Sequence, residues 1–514
     1  MINKRRFVIL IGMLLLIFLL DSKVKEASST IDNIDEKIQL METEIENNMH
    51  LHNIPGMAFA LVDADGVIYS KGFGLLKVNE QHQHIDEETN FHLGSLSKVF
   101  TSIAILQLEE KGLIDINKPV VNYLPWFTTK APEQSDKITV EHLLQHSSGL
   151  PGRLNVHDIK SRDRNEIQKE IVKKLTNVQL VGNPGELYEY TNMNTDLLQV
   201  LIEEVTGEPF TDYMYKNIFS PLQMERTTYH SSFVEPLPNT ATGHRYHFGK
   251  IKPYEEELVP ATAGSAGLSS NVKDLAHFMT AILNDGKDLF ADSNSIPSMF
   301  QPNNYGVGYN WYIYPHNMHM DGGLPSFTST MVLASDKTFG LVLLSNSNQE
   351  ITLHTGFNLY KIVEGEKPTP LTLSDFPKIN SDVRIIIFMT VIVIMFILYL
   401  FITTSYGLIK GSKKVVIEKL SRKRLCLIFF LLTLYLGVLV YIYKIQPFYI
   451  GVPKLLDFKK EPDTVTSFLV FSVVYSLFTL LACLRLSIIK KAKDETSKHN
   501  KDPFITEGGQ FNDF

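Results

Sequence analysis

The chain has 514 residues, of which 44% are hydrophobic, and its formal net charge is −7. This mild negative charge argues against a nucleic-acid-binding surface, and the length predicts two to four structural units. The two cysteines, Cys426 and Cys483, lie in apolar runs near the C-terminus, which excludes a disulfide-stapled fold for everything before them.

The N-terminus has the pattern of a secretory signal. Lys4, Arg5 and Arg6 precede an apolar run over residues 7–20, which is shorter than the ~20 residues that cross a bilayer. No clean cleavage site comes after this run. Residues 1–27 are therefore either a cleaved signal peptide or a retained signal anchor, and in both cases they direct the export of the domain after them.

The next segments predict a helix and a hairpin. Residues 31–49 carry apolar side chains at helical spacing against an acidic face, which predicts an amphipathic helix. The stretches Gly56–Val62 and Val67–Phe73 flank an Asp-Ala-Asp-Gly turn, and this pattern predicts a β-hairpin.

A loop that begins at Gly94 leads into a predicted helix that ends near Lys111. Ser95 and Lys98 lie on the same face of one helical turn. A serine hydroxyl needs a nearby base to become a good nucleophile, and a lysine in a partly dry pocket loses charge stability and can supply that base. The alternative is a serine N-cap beside a solvated lysine, and the four residues alone leave both readings open.

The segment from Thr139 to Gly149 predicts a short helix, with Thr139 as its N-cap and Gly149 at its end. His142 and His146 have the spacing of two metal ligands on one helix, but no third ligand is evident. We therefore favour a structural role in which His146 caps the turn, and we predict no metal.

Tyr190 and Asn192 precede an apolar helix that is predicted to end at Thr206–Gly207. A buried phenol beside a lysine can have its pKa lowered, and it could then accept the proton of a serine. This motif is common by chance, so it gains weight only from its position downstream of Ser95.

Two further stretches complete this part of the chain. Residues 261–270 are small and Gly-rich, and a helix is predicted over Val272–Leu283. A phosphate-cradling loop is conceivable, but no lysine comes next, so we interpret this stretch as backbone lying close to the site. Ser329–Leu333 and Gly340–Leu344 predict an antiparallel strand pair.

Together these stretches resemble the serine beta-lactamase and penicillin-binding-protein superfamily, in its class C beta-lactamase-like branch with esterases and D,D-peptidases. The resemblance runs from about residue 34 to residue 360. It rests on five motifs in chain order, which are Gly94-Ser95-x-x-Lys98, Glu141-His142-Leu143-Leu144-x-His146-x-Ser148-Gly149-Leu150, Tyr190-x-Asn192, Ala266-Gly267-Leu268-Ser269 and Gly322-Gly323-x-Pro325. It implies an α+β fold in which helices flank an antiparallel sheet, with an inserted all-helical lobe and a site between the two lobes.

The resemblance also implies roles for individual residues. Ser95 would attack a carbonyl and become acylated, and Lys98 and Tyr190 would share the general-base work. Asn192 would hold the substrate amide or the Lys98 side chain. The backbone N–H groups of Ser95 and Gly323 would form the oxyanion hole. No cofactor is implied.

The strand motif that ends in Gly322-Gly323 departs from the family pattern. Where relatives have Lys or His, then a small residue, then Gly, this chain has Met320, Asp321 and Gly322, which we expect to bind substrate. Met320 cannot bind a carboxylate, and His319 lies on the opposite face of a regular strand unless a bulge shifts the register. Ser326 also stands where relatives usually have Gly.

The C-terminal part predicts a membrane tail. After a hydrolase domain over residues 31–363 and a linker over residues 364–384, residues 385–489 contain three apolar spans, and residues 490–514 form a polar cytoplasmic tail. The spans are Ile385–Ile409, Leu425–Tyr443 and Val465–Leu484. The basic stretch from Lys410 to Arg424 favours a cytoplasmic loop, which places the hydrolase domain outside the cell. The alternative is that one span is a buried hairpin.

Two functions stay open from the sequence. One is a membrane-tethered extracytoplasmic serine hydrolase of the bacterial cell envelope, acting on cell-wall D-amino-acid peptides such as the peptidoglycan stem peptide, on beta-lactams or on esters. The other is a catalytically weak or inactive penicillin-binding-like sensor or assembly protein. Both would contact membrane lipid, and neither would bind nucleic acid.

Overall fold

The computed structural model describes residues 33–78, 82–152, 154, 156–229, 237–247, 250–291, 295–349, 351–370, 381–415, 421–440 and 462–491. The chain divides into two units, Met1–Pro377 and Lys378–Phe514. The predicted signal segment over residues 1–27 lies outside the described residues, as does nearly all of the predicted tail over residues 490–514.

The first unit combines helices and strands. Its helices are α1 (Ile34–His52), α2 (Ser97–Glu110), α3 (Pro132–Ser135), α4 (Val140–Leu144), α5 (Arg164–Leu175), α6 (Asn192–Thr206), α7 (Phe210–Met214), α8 (Ala263–Ala266), α9 (Val272–Leu283), α10 (Ser295–Met299) and α11 (Ile351–Val363). Its strands are β1 (Gly56–Asp63), β2 (Gly66–Gly74), β3 (Phe91–His92), β4 (Thr228–Tyr229), β5 (His244–His247), β6 (Lys250–Pro253), β7 (Leu268–Ser270), β8 (Tyr312–Ile313), β9 (Asn317–Gly323), β10 (Thr328–Ala334) and β11 (Gly340–Ser345).

A six-stranded antiparallel sheet forms the centre of this unit, in the order β2-β1-β11-β10-β9-β8. Both faces of its central strands are buried, which explains why β1 is a continuous apolar run rather than an alternating one. Phe59 of β1 joins the apolar cluster on one face, and Ala58 and Ala60 join the cluster on the other.

Two helices from opposite ends of the unit cover one face of the sheet. Helices α1 and α11 contact each other, and Met41 and Ile45 of α1 are fully buried against the strands. The predicted N-terminal helix and the predicted hairpin are therefore confirmed.

The other face of the sheet carries α9 and, beyond it, the helices that come between β2 and β8 in the chain. Helix α9 contacts β1, β2 and β11, and its Phe278 packs on Phe100 of α2 with ring centroids 4.3 Å apart. The small sheet β3-β7-β4 contributes to the core on this side, and β5 pairs with β6 in a separate two-stranded sheet. The inserted helices therefore form one apolar core with this face of the sheet.

One local prediction differs from the structure. The helix capped by Thr139 ends at Leu144 rather than at Gly149, because His146 adopts a left-handed backbone with φ +54°. The Gly-rich stretch forms a 3₁₀ turn over Pro260–Thr262, followed by α8 and β7.

The second unit contains α12 (Ser381–Ile409), α13 (Arg422–Val440) and α14 (Pro462–Ile488), with short strands β12 (Lys413–Val415) and β13 (Ile489–Lys491) paired antiparallel. Among the residues that the structure describes, one stretch, Ile385–Ile409, is long and apolar enough to cross a membrane, and Leu469–Cys483 is a shorter apolar stretch. Of the three predicted spans, only the first meets this requirement within the part of the chain that the structure describes. The second predicted span extends past Val440 into residues outside the described range.

Candidate active site

The candidate nucleophile lies on a tight turn in front of α2. Gly94 has φ +56°, and a Cβ atom added to it would lie 3.0 Å from the nitrogen of Gly323 at the end of β9. Gly322 is equally constrained, because a Cβ atom there would lie 1.9 Å from the oxygen of Leu93. Because these glycines have no side chains, the backbone before α2 and the backbone at the end of β9 are in direct contact.

Ser95 stands between two polar side chains. Its Oγ lies 2.9 Å from Lys98 Nζ, one turn along the helix, and it accepts a 2.7 Å hydrogen bond from the Tyr190 hydroxyl. The structure therefore brings together the three residues proposed for catalysis, although Tyr190 is 95 positions from Ser95 in the sequence.

Lys98 is fully buried, and its amine donates a 2.7 Å hydrogen bond to the carbonyl of Ser265 in α8. Burial lowers the pKa of Lys98 well below its usual range, and the negative charge of Asp196 in α6 opposes part of that shift. Asp196 is itself fully buried, and burial raises the pKa of its carboxyl. The amine of Lys98 is thus held in a site where its neutral form is accessible.

Tyr190 differs from the sequence-based interpretation. Burial raises the pKa of Tyr190 to about 12, although the hydrogen bond to Ser95 acts in the opposite direction. Lys98 Nζ lies 5.1 Å from the centre of the tyrosine ring, and the negative charge of Asp196 adds to the rise in the pKa of the phenol. Tyr190 is therefore a neutral donor to Ser95, and Lys98 is the better proton acceptor of the two.

The ring of His146 packs against the ring of Tyr190, with ring centroids 4.5 Å apart. Its Nε2 lies 3.0 Å from Asn310 Oδ1, and its Nδ1 lies 3.0 Å from Asn194 Nδ2. Burial, together with the charge of Lys98, lowers the pKa of His146 to about 3, so the ring is neutral. With Nδ1 as the acceptor and Nε2–H as the donor, both nitrogens of His146 have protein partners, which fits the structural role predicted for it. His142 likewise accepts from the backbone N–H of Thr139 at 3.2 Å and completes the cap of α4.

The side chains of His319 and Met320, neighbours in the strand motif that ends in Gly322-Gly323, point to opposite faces of β9. The pairing of β9 with β10 runs in unbroken register from Asn317 to Gly323, so no bulge brings His319 round. Met320 is 2% exposed and lines a small cavity together with His146 and Tyr190. The structure therefore places Met320, not His319, on the side of Ser95.

His319 and Asp321 lie on the face covered by α11. The His319 ring packs edge-on against Phe357 of α11, and its Nε2 is 3.5 Å from Asp321 Oδ2. Asp321 also accepts a 2.6 Å hydrogen bond from the Thr330 hydroxyl. The structure thus does not bring the Asp321 side chain to Ser95, because alternate residues of a strand face opposite sides.

Asn192 is the first residue of α6, directly after the N-cap Thr191, and it is partly exposed. Within the described residues, its side chain makes no hydrogen bond to Lys98, whose amine contacts Ser95 and Ser265 instead. A role for Asn192 toward substrate stays a prediction.

Sequence reasoning missed two residues of the site. Asp196 lies six positions after Tyr190, in a helix where it is flanked by buried side chains, and a charged residue inside that apolar run was a usable signal. Asn310 binds His146 and also donates to the Ser102 hydroxyl at 2.8 Å, but it lies in a loop with no recognisable motif.

The chain is similar to known proteins along most of its length. Residues 41–358 match the family described as "Beta-lactamase". The chain is 27% identical over 405 residues to "Protein flp" of Staphylococcus aureus (strain MW2), covering 76% of this chain and 80% of that protein. It is 27% identical over 352 residues to "Putative penicillin-binding protein PbpX" of Bacillus subtilis (strain 168), covering 67% of this chain and 85% of that protein.

A solved structure gives the same result for the fold. The octameric penicillin-binding protein homologue from Pyrococcus abyssi matches with a TM-score of 0.57 at 24% identity, covering 64% of this chain and 78% of that chain. These comparisons confirm the predicted superfamily and the predicted α+β fold with an antiparallel sheet.

A pH measurement tests the pairing of Lys98 with Asp196. If neutral Lys98 is the base, kcat/KM for a neutral nitrophenyl ester should rise with pH and level off well below the ordinary lysine pKa of about 10.4. The charge of Asp196 favours cationic Lys98, so Asp196→Asn should move this acid limb to lower pH, by about one pH unit or more.

The neighbouring buried Thr195 provides the matched control for this experiment. Thr195→Val should leave the midpoint of the acid limb in place, whatever it does to stability. An acid limb that does not move in Asp196→Asn would show that the two groups are not electrostatically coupled.

Proposed function

The chain belongs to the beta-lactamase family, and from this premise we propose that it is a serine hydrolase that forms an acyl-enzyme through Ser95. One observation carries the proposal, which is the position of Ser95 Oγ within hydrogen-bond reach of both Lys98 Nζ and Tyr190 OH. A buried amine with a lowered pKa next to a serine is the arrangement that an activated nucleophile needs.

In the proposed first step, Ser95 Oγ attacks the substrate carbonyl and neutral Lys98 takes the hydroxyl proton. A positioned base of this kind contributes about 10²–10⁴-fold in rate. Tyr190 donates a hydrogen bond to Oγ during the attack, and its raised pKa keeps its proton in place during this step. The carbonyl π bond opens, and its electrons move to the carbonyl oxygen.

The oxyanion would be bound by the backbone N–H groups of Ser95 and Gly323. The close approach of Gly94 to Gly323 supports this assignment, because it places the two backbone segments side by side. Losing one such donor costs roughly 3–4 kcal/mol in comparable hydrolases.

Collapse of the tetrahedral intermediate would break the bond to the leaving group. We infer that Tyr190 gives its proton to that group and is reprotonated by Lys98, since the lysine carries the proton that came from Ser95. Water would then attack the acyl-enzyme carbonyl while Lys98 takes its proton. The bond to Ser95 Oγ would break as Lys98 returns that proton to Oγ, which releases the acid and leaves Ser95 protonated again. The number of protons is the same before and after the cycle.

We infer that neutral substrates suit this site better than substrates with a carboxylate beyond the scissile bond. Met320 would occupy the position for which the family resemblance implies a cation. The cavity that it lines is bordered by Trp311 and Tyr312, and no lysine or arginine is among the described residues around it. Esters and amidated peptides therefore fit better than penicillins or free D-Ala-D-Ala termini, which carry a carboxylate.

We also propose that the second unit tethers the hydrolase domain to the membrane on its outer side. The apolar helix Ile385–Ile409 supports a tether. The basic residues from Lys410 to Arg424 support a cytoplasmic position for the loop after it. A multi-pass arrangement with two further spans is part of this proposal.

Covalent labelling tests the nucleophile. A fluorophosphonate or a labelled penicillin should modify the wild-type protein, and Ser95→Ala should abolish the label. Ser97→Ala is the control, because the Ser97 hydroxyl donates to Gly94 O, accepts from the Leu268 N–H and does not face Lys98. It should keep the label while losing roughly 1–3 kcal/mol of stability.

The outcome also separates the hydrolase from the sensor or assembly protein. Wild-type protein that takes up neither probe and turns over neither ester nor peptide would favour the non-catalytic alternative. Ester hydrolysis that survives in Ser95→Ala would refute the assignment of this serine.

A matched substrate pair tests the role of Met320. Met320→Lys should improve kcat/KM for a carboxylate substrate relative to its ester by roughly ten- to hundredfold, because a charge-assisted hydrogen bond contributes about 1.5–3 kcal/mol. Met320→Leu keeps the position apolar and should leave the preference unchanged. His319→Ala should also leave it unchanged, and a switch of preference in that variant would contradict the facing seen in β9.

Protease accessibility tests the orientation. Protease added to intact spheroplasts should digest the domain up to about Val363 and spare the Lys410–Arg424 loop. Permeabilised spheroplasts, in which both segments are reachable, are the control. Protection of the hydrolase domain in intact spheroplasts would rule out the proposed topology.

A further inference from the structure

Ser326, at a position where the family resemblance leads us to expect glycine, binds a buried carboxylate. Glu256 Oε1 accepts the backbone N–H of Ser326 at 2.6 Å and its hydroxyl at 2.5 Å. Ser326 is fully buried and Glu256 is 7% exposed. Two donors from one residue therefore converge on one oxygen of a side chain 70 positions away.

Ser326 belongs to the short loop that joins β9 to β10. Gly323 is the last residue of β9, and the loop after it is closed by a 2.9 Å hydrogen bond from Leu324 N to Phe327 O. On its other side, the carbonyl of Ser326 accepts the N–H of His244 at 3.2 Å. The loop that begins at the proposed oxyanion donor is thus held at Ser326 by two separate parts of the chain.

Glu256 also lies on the segment that leads to Ser265, whose carbonyl binds Lys98. It precedes Pro260–Thr262, and Ser265, a few residues later, accepts the hydrogen bond of Lys98. Between Glu256 and Ser265 the chain makes further fixed contacts, since Gln199 binds both Pro260 O and Gly264 N. One stretch of chain therefore contacts both the base and the loop of the oxyanion hole.

We propose that Glu256 is a positioning residue for the oxyanion-binding amide of Gly323, acting through the N–H and the hydroxyl of Ser326. The proposal rests on the function proposed for Ser95. It assigns a role to Ser326, because the Ser326 hydroxyl gives Glu256 a second donor that glycine would lack. Glu256 itself does not touch the reacting atoms.

The role needs a hydrogen-bond acceptor rather than a negative charge. Burial raises the pKa of Glu256 to about 7, against the effect of the two Ser326 bonds and of Arg245. Both bonds end on Oε1, so a proton on Oε2 would leave them intact. Glutamine, which has one acceptor oxygen and no charge, should therefore replace glutamate, whereas alanine should not.

The test uses the full-length protein and a neutral nitrophenyl ester, with rates expressed per fluorophosphonate-titrated site. Glu256→Ala should lower kcat by about tenfold or more with KM nearly unchanged, because a displaced oxyanion donor affects the transition state. Glu256→Gln should stay within about threefold of wild type. Glu257→Gln is the matched control, since the Glu257 side chain is 54% exposed and pairs with Lys160 at the surface.

Ser326→Ala removes one of the two bonds and should lower kcat by a smaller factor, roughly three- to tenfold. Combined with Glu256→Ala it should add nothing, because both changes break the same contact. This cycle keeps the proposal testable if Glu256→Ala does not fold, since Ser326→Ala with wild-type kcat would then overturn it.

Hydrogen–deuterium exchange of the peptide that contains residues 323–327 gives a readout independent of turnover. Exchange should be faster in Glu256→Ala and unchanged in Glu256→Gln and Glu257→Gln. Faster exchange with an unchanged kcat would overturn the proposal, and so would a slower kcat that Glu256→Gln does not rescue. Wild-type protein without any turnover would instead end the hydrolase proposal, and this one with it.

Discussion

The site depends on a lysine side chain that is removed from water. Lys98 has no exposed surface, and a buried ammonium costs several kcal/mol, so its neutral amine becomes accessible. The carbonyl of Ser265 and the hydroxyl of Ser95 orient this amine, and Asp196 counters part of the loss of charge. On one side, the fully buried Lys98 lies against the small residues of the short helix α8. A larger side chain at Gly264 would contact Gln199, which holds this backbone in place.

The second constraint is the close contact of strand β9 with the turn before α2. It requires glycine at positions 94 and 322, because any Cβ atom there would meet backbone of the other segment. The Ser329 hydroxyl reinforces the contact through a 2.7 Å hydrogen bond to the oxygen of Leu93. The position of the Gly323 N–H relative to Ser95 therefore depends on backbone packing rather than on a flexible side chain, which is the rigidity that an oxyanion hole needs.

Local sequence was sufficient to predict features that lie within a single segment, such as a hairpin, a helix or a helix cap. The paired strands around Ala60, the helix after Ser95 and the cap at Thr139 are predicted by periodicity and turn chemistry, and all three are present. The helix after Thr139 ends earlier than the sequence predicts, because His146 has a left-handed backbone and its ring bonds Asn194 and Asn310, which are distant in sequence. Burial raises the pKa of Tyr190 rather than allowing the lowered pKa that a neighbouring lysine could produce, and the depth of burial cannot be read from the neighbours of Tyr190 in the chain.

By itself, the sequence determined the order of elements, the motifs and the identity of the nucleophile's helix, because these depend on spacing within one segment. It also determined that His319 and Met320 face opposite ways, since the period of a strand is two. Tertiary structure alone decided which of these faces meets Ser95, that Asp321 turns toward α11, and that Asp196 and Glu256 lie beside the site. These outcomes depend on contacts between residues far apart in the chain, and burial in the assembled core sets both their geometry and their charge.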